Sequence, residues 1–269
     1  LKTSLPIGVF DSGLGGLTIV KALRKLLPGE AIIYFGDTAH LPYGDKSPEL
    51  VQGYSLQIAD FLLAQPVKAL VIACNTASAL AQETIAARAG DTPVFDVIRP
   101  AVQEALRRSQ QGKIGIIGTK ATIHSGVYKQ LLLSQQAGLQ VIEKATPLLV
   151  PMIEEGWLRN RVSQDVIDAY LSDTGFQTID SLILGCTHYP LIKHQIELYF
   201  QKTYDHAVEV VDSSLAVARQ VKEGLTARNL LTTHTNPTQH YYVSDYTPDF
   251  QEATKLFLSQ EVKLEKVEL

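Results

Sequence analysis

Only two cysteines occur in the 269-residue chain, and both stand in the same setting. Cys74 lies in LVIACNTASAL (70–80) and Cys186 in LILGCTHYPLI (182–192). Each ends an apolar run, is followed by Thr or Asn-Thr, and leads into a helical pattern. In open α/β sheets the ligand crevice lies beyond the carboxyl ends of the strands, where loops feed helix N-termini. A helix start favours a nearby anion by about 0.3–1 kcal/mol, so both thiols are expected to be biased toward thiolate. Asn75, Thr76 and Thr187 follow the sulfurs directly and offer amide, hydroxyl and backbone N–H groups suited to a substrate carboxylate. Two thiols facing each other across a crevice suit the inversion of a stereocentre. One takes a proton from one face of the carbon, the other delivers a proton to the opposite face, and reversal exchanges their roles. From a cysteine reference pKa of about 8.5, only a modest downward shift is needed.

Other readings fit the same residues. A buried cysteine is commonly a small apolar filler, although here that must hold twice at equivalent places. Cys74, Cys186 and His188 could ligate a metal, but their long separations and the lack of a Cys-x-x-Cys pair make a weak zinc signature. A disulfide requires Cα atoms within about 7 Å. A hydrolase with Cys186 as nucleophile and His188 as base leaves Cys74 without a task. A two-lobed binding protein would hold an amino acid without chemistry and tolerate loss of either thiol.

The elements around the cysteines read as a parallel α/β protein. Short apolar runs at 7–11, 31–37, 69–74, 93–97, 113–118, 139–144, 181–186 and 207–212 suit strands buried on both faces. Between them, stretches such as GLTIVKALRKLL and SPELVQGYSLQIADFLLAQ carry apolar residues at helical spacing. The final HYYVSDYTPDFQEATKLFL reads as one more strand, a turn at Thr247-Pro248 and a closing helix. An internal repeat is also visible. IGVFDSG (7–13) overlays IGIIGTK (114–120), which sets Ser12 opposite Thr119 and Cys74 opposite Cys186.

Composition narrows the partners. A formal charge of −4 with scattered Lys and Arg gives no footprint for nucleic acid. No apolar run reaches membrane-spanning length, and none near the amino terminus suits a signal peptide, so the expectation is a soluble cytoplasmic protein with free thiols.

The stretches FDSGLGGLT (10–18), DTAHLPYGDKS (37–47), ACNTASA (73–79), GTKAT (118–122), VPMIEEGW (150–157), GCTHYP (185–190) and VDSSLAVA (211–218) together resemble the glutamate racemases of the aspartate/glutamate racemase family. They run in family order over essentially the whole chain. The resemblance implies a cofactor-independent isomerase that interconverts L- and D-glutamate for the bacterial cell wall, commonly as a homodimer and with no metal. It implies two similar parallel-sheet lobes with flanking helices and the active site in the cleft between them. Lobe one would combine 1–98 with 212–269, and lobe two would span 99–211. Cys74 and Cys186 would be the paired base and acid, assisted by Asp11, His188 and Glu154. Asp11, Ser12, Pro42, Tyr43, Gly44, Asn75, Thr76, Thr119, Thr122 and Thr187 match positions that hold the substrate. A relative acting on aspartate or another small amino acid fits the same motifs.

Several companions keep a second reading. Gly13, Gly15 and Gly16 either permit a tight turn or approach the ligand. His188 is either functional or a satisfied structural histidine, and Asp37 either caps a turn or meets the substrate amine. The choice of Glu154 over Glu155 rests on the resemblance alone. Two positions depart from the family pattern: Ser213 follows Asp212 where many relatives have Gly, and Thr146 stands where many have Cys.

Overall fold

The computed structural model describes residues 2–233, 235 and 237–269. Its strands are β1 (Ile7–Asp11), β2 (Ile32–Gly36), β3 (Ala69–Ile72), β4 (Val94–Asp96), β5 (Lys113–Gly118), β6 (Gln140–Ala145), β7 (Ser181–Gly185), β8 (Glu209–Val211), β9 (Gln239–Val243) and β10 (Glu265–Lys266). They form a six-stranded sheet in the order β10-β9-β2-β1-β3-β4 and a four-stranded sheet in the order β6-β5-β7-β8. Every pairing is parallel. The protein is thus α/β with two parallel sheets and flanking helices.

The two sheets share one winding. The order β2-β1-β3-β4 in the first repeats as β6-β5-β7-β8 in the second, with β1 matching β5 and the Cys74 strand matching the Cys186 strand. In both, the strand order reverses at the central strand, and the crevice outside such a switch point is where open α/β sheets bind ligands. The residues after β1, β3, β5 and β7 are therefore the ones the topology gathers.

Each of the eight apolar runs coincides with one of β1 to β8 to within two residues at either end, β6 running one residue past its run to Ala145. Every residue of β1, β2, β3 and β7 is buried, whereas the edge strand β6 is only partly buried. At the chain's end, Thr247 caps the helix Pro248–Leu258 by accepting the Phe250 N–H at 3.2 Å, with Pro248 at the first helical position. One element was not anticipated. β10 pairs beside β9 through two exposed residues, Glu265 and Lys266, which carry no apolar pattern.

The core explains why the sheets hold together. One cluster runs through both, joining Val9 and Val71 of the first sheet to Ile114, Ile116, Ile183 and Val211 of the second. Two further clusters lie on other faces. One contains Cys74 with Phe10 and Tyr43; the other contains Cys186 with Leu184 and Tyr189. The helix Ile98–Arg108 packs on β7 and β8 and also on the helix Ser213–Ala227, which in turn packs on the helix Leu17–Leu26 of the first sheet.

Candidate active site

A cavity of about 230 Å³ lies beyond the ends of β1, β3, β5 and β7. Drug-sized ligands occupy roughly 300–1,000 Å³, so this one suits a smaller molecule. Its walls include Asp11, Ser12, Pro42, Tyr43, Gly44, Cys74, Asn75, Thr76, Thr119, Glu154, Cys186, Thr187 and His188. Each sheet contributes one cysteine. Thr122 is the one predicted residue that does not line the cavity. It is buried behind the wall, where its hydroxyl meets those of Thr76 at 3.2 Å and Thr119 at 3.0 Å. With the Thr76–Thr119 contact of 3.0 Å, three hydroxyls from the two sheets form a closed triangle.

The two sulfurs are not equivalent. Cys74 caps the fifteen-residue helix Asn75–Ala89, and its sulfur accepts the Ala77 N–H at 3.4 Å while its thiol points to the Ser12 hydroxyl at 3.6 Å. Cys186 instead leads into a short 3₁₀ turn, Tyr189–Ile192, before the helix Lys193–Thr203 begins. Its partner is a side chain: His188 Nδ1 lies 3.7 Å from the sulfur, and His188 Nε2 lies 3.0 Å from Glu154 Oε1.

Electrostatics follow these partners. Burial pulls the His188 pKa down, but hydrogen bonds to Cys186 and Glu154 and their charges outweigh it, raising it to about 10. Both ring nitrogens therefore carry protons at neutral pH, one aimed at sulfur and one at carboxylate. Burial also pushes up the Asp11 carboxyl, against the opposing charge of His188 and the N–H of Gly16, which it accepts at 2.8 Å. For Cys74 the expected lowering is overturned. Burial, then the nearby Asp11 charge, push this thiol well above its ordinary value, and the Ala77 N–H offsets only part of that. The helix-start effect is worth a fraction of the desolvation cost of a buried thiolate.

The alternatives left open by sequence now separate. Among the three glycines, none has a positive φ, so no left-handed turn requires them. Gly15 is needed for space, because a Cβ there would lie 2.4 Å from the His188 ring and 2.7 Å from Thr187 Oγ1. The neighbouring Thr18 hydroxyl donates to the Thr187 carbonyl at 3.0 Å, so the first sheet's glycine loop clasps the second sheet's cysteine loop. Phe257 closes another side of the His188 ring, edge to face at 5.2 Å. Of the two adjacent glutamates, Glu154 is the one on His188 and on the cavity wall. Asp37 lies outside the wall and accepts from Tyr43 at 2.5 Å, Ser244 at 2.6 Å and His40 at 2.9 Å. It thus holds the Pro42-Tyr43-Gly44 loop from behind.

Thr146, one of the two departures from the family pattern, lines the cavity and shares a 2.7 Å hydrogen bond with the Tyr189 hydroxyl. Its place just after β6, at a strand's carboxyl end, was the signal available. Both cysteines are free. Among the described residues no group of three or more His, Cys, Asp or Glu is arranged to hold a metal ion.

Comparison with known proteins bears on what this site does. The family model described as Asp/Glu/Hydantoin racemase matches residues 17–221. This chain belongs to that racemase family. Among curated relatives, a glutamate racemase of Neisseria meningitidis serogroup C is 43% identical over 265 residues, covering 98% of this chain and 96% of its own. A glutamate racemase of Aquifex aeolicus is 42% identical over 259 residues, covering 96% of each. The crystal structure of glutamate racemase from Francisella tularensis in complex with D-glutamate superposes with a TM-score of 0.92 at 40% identity, covering 99% of this chain and 98% of that one. Racemase family members of this kind share both the two-sheet architecture and its length.

Proposed function

We propose that this protein is a glutamate racemase that works by two-base proton transfer between Cys74 and Cys186. The observation that carries the reading is one cavity receiving a cysteine from each of two like-wound sheets, with Cys74 beside the Ser12 hydroxyl and the buried Asp11 and with Cys186 beside His188. One sulfur, as thiolate, takes the α-proton and becomes S–H, the carbon keeps the electron pair, and the opposite S–H gives a proton to the other face and is left as thiolate. The negative charge that develops spreads into the substrate carboxylate, and preorganised donors must stabilise it. Asn75, Thr76, Thr119 and Ser12 supply amide and hydroxyl groups for that purpose. Asp11 assists Cys74, and the His188–Glu154 pair assists Cys186.

In this reading the reaction needs no cofactor. The lobes, 1–98 with 212–269 and 99–211, close over the substrate and expel water. The product serves peptidoglycan synthesis in the cytoplasm, and the active species is a homodimer. Bacterial relatives named glutamate racemase support the choice of glutamate as substrate.

The purified protein, given L-glutamate and no added cofactor, should take the circular dichroism signal to zero and yield equal amounts of the enantiomers. L-aspartate should stay unchanged over the same interval. Faster racemisation of aspartate would overturn the glutamate assignment.

A pH profile tests the His188 arrangement. Glu154 favours the imidazolium, so Glu154→Gln lowers the pKa and the imidazolium is lost earlier as pH rises. The alkaline limb of kcat/KM, near pH 10 for the native protein, should move down by about one unit, the low end for an opposite charge at contact because Glu154 is partly solvated. A limb that stays in place would show that Glu154 does not act through His188.

A further inference from the structure

Resting on the glutamate racemase reading, we propose that Tyr128 is a positioning residue for substrate binding: it holds the Asn75 amide with its NH₂ turned toward a substrate carboxylate. Asn75 is buried on the cavity wall, in the first turn of the helix that Cys74 caps. Its Oδ1 accepts the Tyr128 hydroxyl at 2.6 Å, while its Nδ2 is buried with no partner. An amide has two donors on nitrogen and acceptor capacity on oxygen. Fixing the oxygen on Tyr128 decides the flip of the group and leaves the donors for a ligand. A buried donor left unsatisfied is costly, and a bound carboxylate oxygen would remove that cost.

Tyr128 is placed to do this rigidly. It is fully buried on the helix Val127–Gln135, 53 positions from Asn75 in sequence. Its ring packs against Gly185, the residue before Cys186, so closely that a Cβ there would stand 3.4 Å from Cε2. One side chain thus touches the strand end that presents Cys186 and the amide that follows Cys74. Burial, reinforced by the Asp96 and Cys186 charges, keeps the phenol far above its ordinary pKa, so the hydroxyl stays a donor throughout the working range. Nothing else in the mechanism uses it.

The test measures D-glutamate binding by calorimetry and racemisation in both directions. Tyr128→Phe keeps the ring and frees the amide to rotate. Its Kd should rise roughly tenfold, the size expected for one charge-assisted hydrogen bond. Because the enantiomers have equal free energy, kcat/KM should fall by a similar factor in both directions. In the Asn75→Ala background, Tyr128→Phe should add nothing further, since both changes remove one interaction. Asn75→Asp keeps the bond to Tyr128 but presents oxygen to the ligand, and should bind D-glutamate more weakly than Asn75→Ala. The proposal is overturned if Tyr128→Phe leaves Kd unchanged, if the two effects multiply in the double variant, or if Asn75→Asp binds as tightly as the native protein. Failure of the native protein to bind or racemise glutamate would instead sink the functional reading on which the proposal rests.

Discussion

Replacing either cysteine with alanine should lower glutamate racemisation by roughly 10³-fold or more, because each removes a proton-transfer group for which no substitute is within reach. The two variants should nonetheless differ in a telling way. With Cys186→Ala, Cys74 remains able to take and return a proton on its own face, so in deuterated water one enantiomer should exchange its α-hydrogen without inverting. With Cys74→Ala the other enantiomer should do so. Nuclear magnetic resonance of the α-proton, alongside chiral separation, reads both outcomes. Exchange of the same enantiomer by both variants would contradict the assignment of one sulfur to each face. The inequality of the two sites makes the comparison informative, since Cys74 lies beside a buried carboxyl while Cys186 lies beside an imidazolium.

The second large effect concerns stability. Lys68 is buried on the approach to β3, where its ammonium pairs with Glu30 and donates to the carbonyls of Thr3 at 2.7 Å and Leu230 at 2.9 Å. Glu30 also accepts the Thr232 N–H at 3.0 Å, so the pair ties the amino-terminal segment to the segment preceding β9. Lys68→Met leaves the carboxylate buried without its counter-charge, a change that costs about 3–5 kcal/mol in comparable sites. For a protein of this size the melting temperature should fall by roughly 10 °C. Adding Glu30→Leu should recover most of the loss, since a matched apolar pair avoids desolvation. Neither residue lines the cavity, so activity at low temperature should persist. A melting temperature within a few degrees of the native value would show that the pair is not a structural tie.

Much of this was legible in the sequence, and the reasons differ by residue. β1, β2, β3 and β7 were visible because strands buried on both faces must be nearly apolar throughout, and the shorter or edge strands β4, β6 and β8 because each keeps a short apolar stretch. The two cysteines were visible because each ended such a run. β10 was not, since Glu265 and Lys266 are exposed and charged, and the strand is held by backbone pairing to β9 and by the Lys266–Asp245 ion pair at 2.9 Å. The raised Cys74 thiol was missed because a motif shows the helix start but not the burial that opposes it. Gly15 suggested either a turn or a close approach to the ligand, whereas its constraint comes from a ring 173 positions away. Tyr128 gave no signal, because a tyrosine on an apolar helical face reads as core until the Asn75 amide is found on its hydroxyl. Local pattern encodes the element, and contacts between the sheets assign the role.

Early-time racemisation of L-glutamate in deuterated water tests the central claim most directly. With two sulfurs acting from opposite faces, the D-glutamate formed in the first few per cent of reaction should carry α-deuterium from the solvent-exchanged thiol, while the remaining L-glutamate stays protiated. D-glutamate that retains the original proton, or deuterium appearing equally in both enantiomers from the start, would contradict the account.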